Sequence, residues 1–198
     1  MFGLSIAAMV GGIALMLIPG LGILGSILLS AGANSLINGY MLGTDGEISE
    51  AGWWSGAAYG ALFALGVSGG GALAALALKA GEFAGFAGVV IGWGIAASTS
   101  YYAGFGREYL YSYLSGTNFD RDRAVLSGQI SMFVGILAYP FAFFASALGS
   151  PTVSGSVNGF TSFGLRGVQT YFSICGEVVA DIIPSIIDAM KNNRPIFV

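Results

Sequence analysis

Residues 21–42 read LGILGSILLSAGANSLINGYML, and the way they alternate decides how the chain folds. Gly22, Ser26, Ser30, Asn34 and Asn38 recur every fourth residue. That spacing puts them on one face of an α-helix, with leucine, isoleucine and alanine around the rest. A helix this apolar is long enough to cross a bilayer, yet asparagine is costly against lipid. Its polar face therefore has to meet protein or water. The stripe Ser26, Ser30, Asn34 and Asn38 reads either as interhelical hydrogen bonding or as the lining of a pore. Ser127, Gln129 and Ser131 can join either arrangement.

The surroundings reinforce a membrane setting. The first charged residue is Asp45 and the first basic one is Lys79. Of 198 residues only 9% are charged, against about a quarter in a soluble domain. Mean hydropathy is +0.79. A formal net charge of -3 gives nucleic-acid binding no electrostatic basis. Histidine is absent, which removes the commonest general base and metal ligand. The single Cys175 excludes an internal disulfide and reads as a small packed hydrophobe. No metal, cofactor or catalytic set is expected, and the chain is not expected to be an enzyme.

Outward from the opening stretch, Pro19-Gly20 separates it from a short apolar run at 4–18. The two form either a helical hairpin or one kinked span. Asp45 and Glu47 precede Ser49, a plausible helix start. A third segment follows at 51–78, opening on Trp53-Trp54, which suits a membrane interface. Gly69-Gly70-Gly71 is expected to bend or break it. A fourth runs 83–105 and passes into tyrosines 101, 102, 109, 111 and 113. Asn118 or Asp120 is placed to cap the fifth, 124–148, which Pro140 kinks. Residues 149–159 read as a loop. The final helix, about 162–190, is the one amphipathic helix, with a bend at Pro184. Its apolar positions are Val168, Phe172, Cys175, Val179, Ile182, Ile186 and Met190. Glu177, Asp181 and Asp188 fall on its other side. These carboxylates read as a water-facing surface whose protonation at low pH would ease insertion. The expected fold is all-α, five or six helices in one domain over 1–198. The apolar chain ends favour a piece of a longer protein.

Small residues also recur at helical spacing. Gly52, Gly56, Gly60 and Ala64 form one face; Gly81, Gly85, Gly88 and Gly92 form another. Burial alone does not draw helices together in lipid, but close backbone contact across glycine does. The two faces read as packing between adjacent segments or as a glycine zipper for self-association. A resident transporter would require a cavity at mid-depth with partnered charges, whereas the apolar cores here read as free of charge. The turn at 43–50 and the arginine-bearing 107–123 segment fall on one side, leaving the positive-inside bias ambiguous.

Three stretches, Ile18-Pro19-Gly20-Leu21-Gly22 with Ser35-Leu36-Ile37-Asn38-Gly39-Tyr40, Gly46-Glu47-Ile48-Ser49, and Gly56-Ala57-Ala58-Tyr59-Gly60-Ala61, carry a resemblance. Over about residues 18–72 the chain resembles the membrane-active C-terminal toxin regions of bacterial polymorphic toxins, of the LXG and Rhs types. The resemblance implies insertion into a target-cell membrane, depolarisation, the lipid bilayer as partner, and a paired immunity protein. It carries over no catalytic residue. The alternative is a resident protein of the cytoplasmic membrane, a transporter subunit or assembly scaffold.

Overall fold

The computed structural model describes residues 1–18, 20–148 and 156–191. It is all-α, with six helices: α1 Phe2–Met16, α2 Gly22–Met41, α3 Glu50–Lys79, α4 Glu82–Ser115, α5 Arg121–Leu148 and α6 Ser156–Lys191. The chain turns at Gly20, whose φ is +85°, and Gly12 of α1 packs against Gly25 and Leu29 of α2, so the two helices form an antiparallel hairpin. Ser49 caps α3, its hydroxyl accepting from the Gly52 N–H at 3.1 Å. Asp120 caps α5, accepting from the N–H groups of Asp122 and Arg123 at 3.0 and 3.1 Å. Between α3 and α4 stand only Ala80 and Gly81. Gly81 has φ +128°, a conformation that needs glycine. It is thus a turn residue, and a Cβ there would meet nothing within 4 Å. Its expected place on a packing face is corrected accordingly.

One expected break does not occur. Gly69-Gly71 lies inside an unbroken α3. A Cβ on Gly70 would strike the Gly92 backbone of α4, and one on Gly71 would lie 2.7 Å from the Ala142 backbone of α5. Close tertiary contact on both sides offsets the helix propensity that glycine forfeits. Pro140 and Pro184 sit inside α5 and α6, within helices that continue through them. The fourth segment does not stop near 105: α4 continues through its tyrosines to Ser115. Helix α6 already begins at Ser156, so only part of the 149–159 loop can stand, and residues 149–155 lie outside the described residues.

Helix α3 is the axis of the bundle, with α2, α4, α5 and α6 around it and α1 packed on the outside of α2. Consecutive helices alternate in direction, so α2 and α6 run parallel. The apolar core is small: Tyr59, Phe63 and Val67 of α3 meet Ala96 and Ala103 of α4, and Ala138 and Ala142 of α5. Most other buried positions are glycine, serine or asparagine, while large apolar side chains face outward; Phe83 is 88% exposed. Helices α3, α4 and α5 are each long and apolar enough to cross a bilayer. The turns at 42–49 and 116–120 share one end with the C-terminal end of α6. That end holds most of the charge; among the described residues the other rim carries Lys79 and Glu82.

Candidate functional site: a polar seam along α2, α3 and α6

The stripe read from residues 21–42 faces α6 and α3. Ser30 donates to Thr170 at 3.3 Å, and Asn34 donates to Ser173 at 2.8 Å and to the Ser30 carbonyl at 2.8 Å. Asn38 donates to the Gly52 carbonyl at 2.9 Å and to Ser55 at 3.0 Å. Ser26 accepts from Arg166 at 3.4 Å. All four stripe residues are fully buried. The interhelical reading is the geometry found, with the stripe enclosed within a single chain. Of the fifth segment's polar residues, Ser127 donates to the Gly104 carbonyl at 3.2 Å, so it belongs to the α4–α5 contact instead.

The glycine faces make the seam close-packed. A Cβ on Gly52 or Gly56 would come within 2.7 or 2.5 Å of the Asn38 or Asn34 carbonyl, and one on Gly60 would collide with the Ser30 carbonyl. The glycine stripe of α3 therefore interlocks with the polar stripe of α2, one residue for one. Ala64 is also buried, its carbonyl 3.4 Å from the Gln169 side-chain amide of α6. Gly85 and Gly88 pack on Leu78 and Ala77 of α3, and Gly92 on Gly70. The α3–α4 hairpin thus forms, but through Gly70 rather than through the Gly52–Ala64 face.

Helix α6 corrects the largest expectation. Glu177 and Asp181 do not face water: Glu177 is 0% exposed and Asp181 is buried. With Arg166, Gln169, Thr170 and Ser173 they form the face that enters the bundle. Val168, Tyr171, Val179, Ile182 and Met190 point outward instead. The helix is amphipathic as read, but turned about. The side chain of Asp188 lies outside the described residues. Inward polarity runs from Arg166 to Asp181, about 22 Å at 1.5 Å per residue. Gln169 spans to α3, where its Nε2 donates to Ser68 at 2.9 Å.

At the charged end of this seam lies a network that spacing alone does not reveal. Arg107 of α4 pairs with Asp181 at 2.7 Å and with Glu108, and its Nη1 stands 4.0 Å from Glu177 Oε1. Arg123 of α5 pairs with Glu108 at 3.2 Å and reaches Asp181 at 3.7 Å. The Arg107 guanidinium also lies 5.9 Å from the centre of the Tyr59 ring. Charge is thus present inside the bundle, on helices whose outer faces are apolar, against the expectation of charge-free cores. Two guanidiniums facing three carboxylates leave a formal charge of -1 when all are ionised. A polar cavity of about 250 Å³, lined by Asn38, Arg107, Glu108, Asp181 and Arg123 among others, opens from the network at this end. The sequence carried one usable signal, the adjacent pair Arg107-Glu108 inside a long aromatic helix.

At the other end of the seam, Arg166 lies against Gly22 and Ser26. It is buried, and no carboxylate pairs with it among the described residues. The seam thus has a negative mouth and a positive stop. No cluster of acidic, histidine or cysteine side chains able to hold a metal occurs among the described residues. Comparison with protein-family models, with curated proteins and with solved structures gives no match to this chain.

Proposed function

We propose that the chain is a membrane-inserted helical bundle that takes up small cations at the charged mouth of its α2–α3–α6 seam and passes them along it when the close-packed helices part, and that it works as a membrane-perturbing bacterial toxin region. The orientation of α6 carries this reading. A helix that buries Arg166, Gln169, Glu177 and Asp181 while turning Val179, Ile182 and Met190 outward is arranged for a hydrocarbon surrounding. The apolar outer faces of α3, α4 and α5 support the same setting. The glycine faces read as self-association surfaces are engaged within the chain. A route inside one copy is therefore better supported than a ring of copies sealed by those glycines. An immunity protein that blocks the cavity mouth between Asn38 and Asp181 follows from the toxin reading.

A second reading, a resident transporter subunit, draws support from the partnered charges around Arg107. Both readings predict cation flux; they differ in the effect on the cell. The test is the full chain reconstituted in liposomes holding a potential-sensitive dye, paired with its production in the compartment facing the target membrane. Dye response together with growth arrest supports the toxin reading. Dye response in unharmed cells supports the resident reading. Liposomes that hold their potential defeat both.

A further inference from the structure

We infer that the seam binds a monovalent alkali cation, held by the Glu177 carboxylate and the side-chain amide oxygen of Asn38, with the free amide oxygen of Asn34 one turn deeper along the same seam. This rests on the reading of the seam as a cation path and names what binds within it. Each asparagine donates its N–H groups to a carbonyl and a hydroxyl: Asn34 to Ser30 and Ser173, Asn38 to Gly52 and Ser55. Those bonds fix which way each amide is turned, because a carbonyl cannot accept from the amide oxygen. What remains is Asn34 Oδ1 and Asn38 Oδ1, both buried and both without a hydrogen-bond donor. The two Glu177 oxygens are in the same state, with Arg107 Nη1 no nearer than 4.0 Å. A buried acceptor that lacks a donor is costly, and a native fold leaves few of them.

Register places Asn38 and Glu177 at one level, with Asn34 one turn deeper. Helices α2 and α6 run parallel, with Ser30 against Thr170 and Asn34 against Ser173. One turn further along each helix brings Asn38 level with Glu177. The cavity reaches Asn38 and Asp181, so the set lies just inside its inner wall.

The chemistry of the set selects the ligand. Neutral amide oxygens with one carboxylate offer hard oxygen donors to a hard cation. A proton on the carboxylate supplies a single O–H donor, which satisfies at most one amide oxygen and leaves the other without a partner. A divalent ion would call for more negative charge than the formal -1 of the whole cluster. An anion is opposed by every free atom in the set.

The experiment uses the full chain in detergent. Its thermal unfolding midpoint is measured in sodium, potassium and choline chloride at equal ionic strength, over a range of concentrations. Binding to the folded state alone produces a saturable rise with sodium or potassium over choline. Glu177→Gln, which keeps the shape and removes the charge, is expected to abolish that rise. Equal midpoints in all three salts overturn the site, as does a rise of full size in Glu177→Gln. Should that variant not fold, the wild-type comparison decides by itself. A cation-dependent midpoint in a protein that gives no flux in liposomes keeps the site and removes the conduction reading. Flux without cation dependence does the reverse.

Discussion

Arg107 bears the greatest electrostatic load of any side chain in the bundle. It faces Glu108, Asp181 and Glu177 from a buried position, and each depends on it for compensation. Two charges that leave water together are repaid only in good geometry, but removal of one strands the other. Arg107→Met is therefore expected to cost about 3–5 kcal/mol, the range for breaking a buried pair. Arg107→Lys should cost less, since it keeps the charge and loses the planar fork that reaches two carboxylates at once. Unfolding by denaturant in detergent measures both. An Arg107→Met protein as stable as the parent would show that the network carries no net load. The reason this residue escaped the sequence reading is physical. Spacing reports which residues share a helix face, and Arg107 stands among tyrosines that read as an interface. Only the continuation of α4 to Ser115 carries it inside the bundle.

At the scale of helices, the contact between α2 and α3 is set by the absence of side chains. Gly60→Leu is expected to force the helices apart at Ser30 and to cost more than about 3 kcal/mol, because the obstacle is backbone and cannot move aside. Gly94→Ala makes the matched control. It lies on the exposed side of α4 with nothing within 4 Å of a new Cβ. Its helix should gain up to about 1 kcal/mol from propensity. Equal losses in the two variants, measured as unfolding midpoints, would contradict the close-packed contact. Much at this scale was legible beforehand: the division of the opening apolar run into two segments, the cap at Ser49, Asp120 as one of two candidate caps, and the glycine period of α3. Two things were not. A glycine triplet marks a break only when no neighbour packs against it, and Gly70 and Gly71 are packed on two sides. The facing of α6 was inverted because a soluble protein turns carboxylates outward. A bundle with an apolar coat turns them in.

Taken whole, the molecule is dressed in its large apolar residues. Its three tryptophans sample that coat unequally: Trp54 and Trp93 are about half exposed, at 51% and 47%, whereas Trp53 is 8% exposed and donates to Ser5 at 2.8 Å. Single-tryptophan variants in vesicles of brominated lipid should show strong quenching at Trp54 and Trp93 and little at Trp53. Equal quenching at all three would mean that α1 does not cover Trp53 in the membrane. No quenching at any would place the coat away from lipid.

The lone guanidinium of Arg166 makes the two ends of the seam electrostatically unlike. A fixed positive charge near one face and a net negative cluster near the other make the two halves of the seam unequal. Moving one elementary charge across a membrane potential is worth about 2.3 kcal/mol per 100 mV. A potential that drives cations from the cavity toward Arg166 first loads the acidic mouth and then meets the barrier. The opposite potential meets the barrier at entry, where the local cation concentration is lowest. If the seam conducts as proposed, its current is expected to be a diode-like function of voltage, read as unequal currents at opposite potentials in a planar bilayer, and equal currents would remove Arg166 as the barrier.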